Sequence, residues 1–194
     1  MKKKLRIHIR QTLERMSPSL RRQKSALAQQ ALVALPEFQA AGSVMIYLPM
    51  KEEVDTSIIA QHAWQTHKHV LAPCVHLPDH TMQVFPIHSM LQGLVPGPYD
   101  ILEPRDGEPW PAERIDFIVV PGLGFNRRGG RLGRGAGFYD RFMAQVGWKA
   151  TAVFCGLAFA EQVVDDIPMF DHDEPVDIVV TDKEVLDFRN ARDQ

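Results

Sequence analysis

The sequence predicts an α/β protein, a single-domain three-layer α/β/α sandwich with a mainly parallel sheet. Short, continuous, β-branched apolar runs recur along the chain, as in strands that are covered on both faces of a sheet. Segments with helical periodicity separate several of these runs. A length of 194 residues and an apolar share of 45% suit one domain with a substantial core. We therefore expect one domain over residues 1–194, with two N-terminal helices (4–35) before an α/β core (43–182).

The two N-terminal helices are predicted from periodicity and from a helix start signal. Apolar residues recur at helical spacing in the first helix, at Leu5, Ile9, Leu13 and Met16. Ser17 followed by Pro18 is typical of an N-cap with proline in the first turn. The second helix is expected to bury a stripe of Leu20, Leu27, Ala28, Ala31, Leu32 and Leu35. Pro36 and Gly42 lie where this helix is expected to stop, so two helices precede the first strand.

The core elements follow from the remaining apolar runs. Strands are predicted at Val44–Leu48, Val70–Ala72, Ile115–Val120, Thr151–Phe154 and Ile178–Val180. Helices are predicted around Thr56–Thr66 and Phe138–Val146. Eight of the 14 prolines lie between Pro73 and Pro111, so this stretch is expected to be loop-rich, with one short strand at Met82–Phe85.

Composition and charge limit the class of protein. No run approaches the roughly 20 apolar residues that span a bilayer, and the N-terminal MKKKLRIHIR lacks the apolar segment of a secretory signal. Two isolated cysteines argue against a disulfide framework. We expect a soluble cytoplasmic protein. Residues 1–24 carry nine Lys and Arg against one acid, Glu14, which suits a phosphate-bearing partner, either nucleic acid or nucleotide.

The most informative segment is the glycine-arginine loop, residues 121–141 (PGLGFNRRGGRLGRGAGFYDR), which holds seven of the 13 glycines and four arginines before Arg141. It follows a predicted strand and precedes a predicted helix. Glycines let the backbone approach an anion, a helix N-terminus offers free N–H groups, and arginines bind phosphate oxygens. No GxxxxGK[ST] or GxGxxG motif occurs in it. A flexible surface loop and an RNA-binding arginine-glycine segment remain alternatives.

RLGRGAGFYDR (131–141) resembles the signature of the 5-formyltetrahydrofolate cyclo-ligase family. Four further segments resemble the family's landmarks in the same order: KKKLR (2–6), EEVDT (52–56), YDILEP (99–104) and HDEPVDIVVTD (172–182). The resemblance implies a three-layer fold related to sugar-phosphate isomerases and CoA transferases. It also implies a ligase that uses ATP as co-substrate and Mg²⁺ as cofactor to cyclise 5-formyltetrahydrofolate to 5,10-methenyltetrahydrofolate.

Three positions depart from the family pattern. Asn126 stands where aspartate is usual, Phe138 where tyrosine is common, and Asp100 where glycine is usual. Asparagine keeps the turn-forming ability of aspartate without its charge. Phenylalanine keeps the aromatic face without the hydroxyl.

The resemblance also implies which residues form the site. ATP would contact Lys2, Lys3, Lys4, Leu5, Arg6, Arg131, Leu132, Gly133, Arg134, Gly135, Ala136, Gly137, Phe138 and Tyr139. The folate would contact Glu53, Ile58, Arg134, Gly135, Ala136, Gly137 and Phe138. Mg²⁺ would bind Asp140 and Asp173, because this ion commonly takes one or two protein carboxylates.

Two of these residues have a simpler local explanation. Lys4, expected to touch a phosphate, also fits a solvated basic tail. Glu53, expected to accept N–H bonds from the pterin ring, also precedes a helix that Thr56 would cap.

The partners implied are 5-formyltetrahydrofolate, with or without a polyglutamate chain, and ATP. We expect no nucleic acid partner, no membrane, and a monomer or weak homodimer. A sugar-phosphate or acyl-CoA enzyme on the same fold, which would turn over without ATP, and an RNA-binding module remain open alternatives at this point.

Overall fold

A computed structural model describes residues 1–105, 107–147 and 152–189. Within them the helices are α1 (Lys2–Glu14), α2 (Pro18–Val33), α3 (Pro36–Ala40), α4 (Ser57–Gln65) and α5 (Phe138–Val146). The strands are β1 (Ser43–Met45), β2 (His69–His76), β3 (Thr81–Pro86), β4 (Leu94–Pro96), β5 (Leu102–Pro104), β6 (Phe117–Val120), β7 (Gly124–Asn126), β8 (Arg131–Leu132), β9 (Val153–Leu157), β10 (Val163–Val164), β11 (Ile178–Val180) and β12 (Val185–Asp187). No helix of this part of the chain is long and apolar enough to cross a membrane.

The central sheet has seven strands in the order β12-β11-β9-β6-β1-β2-β3. The five inner strands are parallel to one another, and the edge strands β12 and β3 pair antiparallel. Two smaller sheets, β10-β7-β8 and the β4-β5 hairpin, lie beside it. The predicted mainly parallel sheet is therefore confirmed.

Helices cover both faces of this sheet. Side chains alternate along a strand, so Val44 and Ile46 pack with residues of α1 to α4, whereas Met45 packs on the other face with Phe142 of α5. Both clusters are buried, which explains why the strands are continuous apolar runs. The three-layer architecture is confirmed.

Several predicted boundaries hold and others shift. The helix over Phe138–Val146 and the strand over Ile178–Val180 are confirmed at both ends. The first strand ends at Met45 rather than Leu48. The strand predicted at Thr151–Phe154 runs over Val153–Leu157, and Thr151 lies outside the described residues.

The proline-rich centre is more regular than predicted. The short strand expected at Met82–Phe85 is present as β3, but β2 also continues through Pro73, and β4 and β5 form a hairpin. The tip of this hairpin is a turn in which Tyr99 and Asp100 both have positive φ, of 62° and 59°. The expectation of a loop-rich centre was wrong here because proline is tolerated at strand ends and sheet edges.

The buried face of α2 also differs from the prediction. Ala28, Leu32 and Leu35 are buried as expected, but Leu20 and Leu27 are exposed. The short helix α3 also follows α2, so three helices precede the first strand rather than two.

Polar residues of α2 take the buried places instead. The Lys24 ammonium lies 2.6 Å from Asp182 and 2.9 Å from Glu161. Ser25 Oγ accepts a hydrogen bond from the N–H of Asp55 at 2.8 Å, and Gln29 Oε1 accepts one from the N–H of Ile58. These partners offset the cost of burying polar groups.

Ser17 and Thr56 both stand at the predicted N-cap positions but differ in their side-chain contacts. Ser17 Oγ accepts the N–H of Leu20, as expected for an N-cap. The Thr56 hydroxyl instead donates to the carbonyl of Tyr47, and Asp55 accepts the N–H and hydroxyl of Ser57 at the start of α4.

Candidate active site

The glycine-arginine loop is an ordered hairpin that leads into a helix. Strands β7 and β8 pair antiparallel, and the buried Asn126 Oδ1 accepts the N–H groups of Arg128 and Gly130 at 2.9 and 2.8 Å. A Cβ at Gly130 would come within 2.7 Å of Asn126 Nδ2, so the turn requires glycine there. Asn126 therefore supplies the turn contacts with its amide oxygen. Gly137, with φ of 73°, is the N-cap residue that precedes α5.

The four arginines of the loop that precede Arg141 divide into two pairs. Arg127 and Arg128 are exposed and pair with Glu184 and Asp166. Arg131 and Arg134 line a cavity. The Arg131 side chain is only 4% exposed, and its Nη2 lies 2.6 Å from Asp140 Oδ1.

This cavity has a volume of about 480 Å³ and lies between the loop, the β4-β5 hairpin and strands β2 and β3. It is large enough for a drug-sized ligand. Its lining consists of Arg10, Tyr47, Leu48, Met50, Glu53, Pro73, Val75, Met82, Pro98, Tyr99, Ile101, Glu103, Pro121, Gly122, Arg131, Gly133, Arg134, Gly135, Ala136, Gly137, Phe138, Tyr139 and Asp140.

Two buried polar atoms in this lining have no hydrogen-bond partner in the described part of the chain, Arg131 Nε and the Tyr139 hydroxyl. The Arg131 guanidinium lies 5.8 Å from the centre of the Tyr139 ring. Burial, reinforced by the charge of Glu53, raises the pKa of Tyr139 far above its usual range, so the hydroxyl stays protonated and can donate. Since unpaired buried donors are costly, both atoms point to a ligand acceptor at this end of the cavity.

Two glutamates supply acceptors. Glu53 Oε1 accepts Nε and Nη2 of Arg134 at 3.1 and 3.0 Å, and its Oε2 accepts the N–H of Met50. Glu103 Oε1 accepts the N–H of Val75 at 3.0 Å, and Cys74 Sγ lies 3.4 Å from Oε2. Burial, together with the charge of Glu103, raises the pKa of Cys74 to about 11, so this thiol is protonated at neutral pH.

The basic N-terminus forms the start of α1 and lies against the loop. Arg6 Nε donates to the carbonyl of Gly133 at 2.8 Å. Lys2 Nζ lies 2.5 Å from Asp173 Oδ2 and 4.6 Å from the centre of the Phe170 ring. Arg6 thus reaches the loop and Lys2 reaches the segment that holds Asp173, whereas Lys3 and Lys4 are exposed and Leu5 is half-buried.

The two aspartates predicted to bind metal lie on adjacent segments. The N–H of Glu174, the residue after Asp173, is 3.4 Å from Asp140 Oδ1. Burial disfavours ionisation of Asp173, but hydrogen bonds from Lys2 and the N–H of Phe170 outweigh it, so its pKa lies below the usual value.

Each aspartate is paired with a cation, Asp140 with Arg131 and Asp173 with Lys2. No cluster of three or more His, Cys, Asp or Glu suited to a metal occurs among residues 1–105, 107–147 and 152–189. The assignment of Mg²⁺ to Asp140 and Asp173 stays a prediction. Two carboxylates are compatible with an ion that takes its other ligands from the phosphates of a bound molecule.

The structure leaves some predicted residues outside the cavity lining and adds others. Ile58 lies at the start of α4 and is not in the lining, and Asp173 borders a separate groove with Asn126 and Arg128. Sequence reasoning did not single out Glu103 as a site residue, although it belongs to the YDILEP segment that carried part of the resemblance.

Comparison with known proteins identifies the class. The chain matches the model of the "5-formyltetrahydrofolate cyclo-ligase family" over residues 1–182. The mouse 5-formyltetrahydrofolate cyclo-ligase is 30% identical over 187 residues, covering 92% of each chain. The Escherichia coli K12 protein of the same name is 28% identical over 183 residues, covering 93% of this chain and all of that protein.

Solved structures agree. The NMR structure of Aquifex aeolicus 5,10-methenyltetrahydrofolate synthetase superposes with a TM-score of 0.84 at 33% identity, covering 97% of this chain and 93% of that one. The Mycoplasma pneumoniae 5,10-methenyltetrahydrofolate synthetase shares the fold, with a TM-score of 0.76 at 22% identity. The protein is thus a ligase. It belongs to the 5-formyltetrahydrofolate cyclo-ligase family.

Proposed function

We propose that the protein converts 5-formyltetrahydrofolate to 5,10-methenyltetrahydrofolate, with ATP as co-substrate and release of ADP and phosphate. The observation that carries this proposal is the buried Arg131, whose unpartnered Nε shares the lining of a cavity of about 480 Å³ with the glycine backbone of residues 133–137. Family membership supports the folate as substrate.

The chemistry needs activation of a poor electrophile. The γ-phosphoryl group of ATP passes to the formyl oxygen, so an O–P bond forms and the bond to ADP breaks. The carbon on N5 becomes iminium-like, and N10 attacks it through its lone pair. The C–O bond then breaks, phosphate leaves with the oxygen, and N10 loses its proton. Such phosphoryl transfer depends on positioning and charge neutralisation rather than on a protein nucleophile.

The residues near the loop suit those two tasks. We assign the phosphates to Arg131, Leu132 and the backbone of residues 133–137, with Phe138 and Tyr139 beside them, and assign the N-terminal segment Lys2–Arg6 to the same nucleotide. Arg131 is already buried and oriented by Asp140, so it can neutralise developing charge without reorganisation.

We assign the folate to Glu53, Ile58, Arg134 and the backbone of residues 135–138. Glu53 suits an N–H-bearing edge because a carboxylate accepts two such bonds. In the present structure that carboxylate holds Arg134, so the folate's N–H groups would replace or join the guanidinium.

Asp140 and Asp173 would hold Mg²⁺, which neutralises phosphate charge when bound. Their present partners, Arg131 and Lys2, are the cations assigned above to the phosphates. We therefore propose that the Lys2–Asp173 pair opens and exchanges partners when the nucleotide binds, whereas Arg131 stays beside Asp140 and donates through its unpartnered Nε.

The direct experiment mixes the purified protein with 5-formyltetrahydrofolate and Mg-ATP and follows methenyl absorbance together with ADP release. Formation of both is expected, and absence of both in well-folded protein refutes the proposal. Turnover without ATP would indicate a different enzyme on this fold.

We further propose a cytoplasmic location, a monomer or weak homodimer, acceptance of polyglutamylated folates, and no nucleic acid or membrane partner. RNA binding at physiological salt that ATP does not displace would contradict the last point.

A further inference from the structure

Glu103 differs from the other carboxylates that line the cavity. Glu53 and Asp140 each form an ion pair with an arginine. Among the described residues, no cation forms an ion pair with Glu103. Its carboxylate instead accepts from the Val75 backbone N–H and contacts the Cys74 thiol. The mechanism proposed above gives this carboxylate no task.

The Glu103 carboxylate is held in one place by its surroundings. β1 pairs with β2 only as far as Leu71, so the Val75 N–H farther along β2 is free to donate to Glu103 at 3.0 Å. Gly97 packs against the same group, and a Cβ there would lie 2.5 Å from Glu103 Cδ. An acceptor fixed in this way loses little entropy when a ligand binds.

The walls around this carboxylate are apolar. Glu103 is 8% exposed, and the neighbouring lining of the cavity is formed by Val75, Met82, Pro98 and Ile101. A carboxylate has about four acceptor positions, of which the Val75 N–H and the weakly donating Cys74 thiol use two. The remaining capacity suits a flat ring that carries N–H groups at its edge.

We infer that Glu103 is a further substrate-binding residue, which accepts a hydrogen bond from an N–H group of the reduced pteridine of the folate. The inference rests on the proposed function. It places the pteridine between two carboxylates, Glu53 near the loop and Glu103 on the hairpin.

Glu103→Gln tests this inference, because it keeps the shape and the oxygen for Val75 but places an N–H donor where an acceptor is needed. The dissociation constant of 5-formyltetrahydrofolate, measured by calorimetry without nucleotide, is expected to rise about 10- to 100-fold. The constant for Mg-ATP is expected to stay within twofold. The exposed Glu113→Gln is the matched control and should change neither constant.

A fragment locates the effect. p-Aminobenzoylglutamate lacks the pteridine, so its affinity should be the same for wild type and Glu103→Gln. If 5-formyltetrahydrofolate binds the folded variant as tightly as wild type, or if the fragment is weakened equally, the inference is overturned and Glu103 only supports the hairpin. If Glu103→Gln lowers the Tm markedly, Glu103→Asp is tested in its place, because the shorter side chain withdraws the charge from the ligand. The same weakening of folate binding is expected, and unchanged binding would again overturn the inference. Wild type that fails to bind the folate at all would refute the proposed function itself.

Discussion

Replacing Arg131 by methionine is expected to lower kcat/KM for methenyl formation by about 10²–10³, because a buried, preorganised donor for a developing charge contributes about 2.7–4 kcal/mol. The side chain is 4% exposed and ion-paired to Asp140 at 2.6 Å, so its guanidinium is already in place before the phosphates bind. Methionine keeps much of the length and volume. The substitution also removes the ion pair of Asp140, whose side chain is 19% exposed. The free energy of unfolding should therefore fall by about 1–3 kcal/mol.

Arg127→Met is the matched control for that variant. Arg127 belongs to the same loop, but it is 57% exposed, lies outside the cavity lining, and pairs with Glu184 at 2.8 Å. Loss of this surface ion pair should change the free energy of unfolding by only about 0–1 kcal/mol. Because Arg127 does not line the cavity, kcat/KM should stay within about twofold. Both variants are assayed at saturating Mg-ATP with Tm recorded. Folded Arg131→Met that keeps kcat/KM within threefold of wild type would refute the assignment of Arg131 to the phosphoryl group.

Three further predictions concern stability and the metal. Lys24→Met leaves Asp182 buried without its cation and should lower the free energy of unfolding by about 3 kcal/mol, which corresponds to a Tm lower by about 6–12 °C. Adding Asp182→Asn should recover part of the loss, and a loss below about 1 kcal/mol would contradict the stabilising role of the buried Lys24–Asp182 pair. Asp100→Gly relieves a positive φ of 59° and should raise the free energy of unfolding by about 0.5–1 kcal/mol. Urea denaturation measures this change, and a lower free energy of unfolding would show that the turn is unstrained. Lys2→Met frees Asp173 from its ion pair. The affinity for Mg²⁺, measured by calorimetry in the absence of nucleotide, should therefore rise about tenfold. Unchanged or weaker Mg²⁺ binding would contradict the proposed exchange of partners.

Local patterns predicted the elements whose stabilising contacts are local. The Ser17 cap and the bounds of α5 are confirmed because a start signal and a helical period lie within a few residues of the contacts they describe. The buried face of α2 could not be obtained this way. Lys24 is buried because Asp182 and Glu161 meet it from far along the chain, and no local pattern shows that pairing.

The lining of the cavity was predicted in part for the same reason. The glycine-arginine loop is one continuous segment, so the sequence already indicated Arg131 and residues 133–140, which line the cavity. The opposite wall comes from a hairpin in a proline-rich stretch that appeared to be loop. Glu103 acquires its place in the cavity only through the contact of β5 with β2, which depends on tertiary structure.

We propose that the glycine-arginine loop binds the triphosphate beside the folate's formyl group. A crystal structure with a non-hydrolysable ATP analogue and 5-formyltetrahydrofolate tests it most directly. We expect phosphate oxygens within hydrogen-bond distance of Arg131 and of the backbone N–H groups of residues 133–137, with the γ-phosphorus facing the formyl oxygen. A nucleotide bound elsewhere, with the loop empty, would contradict it.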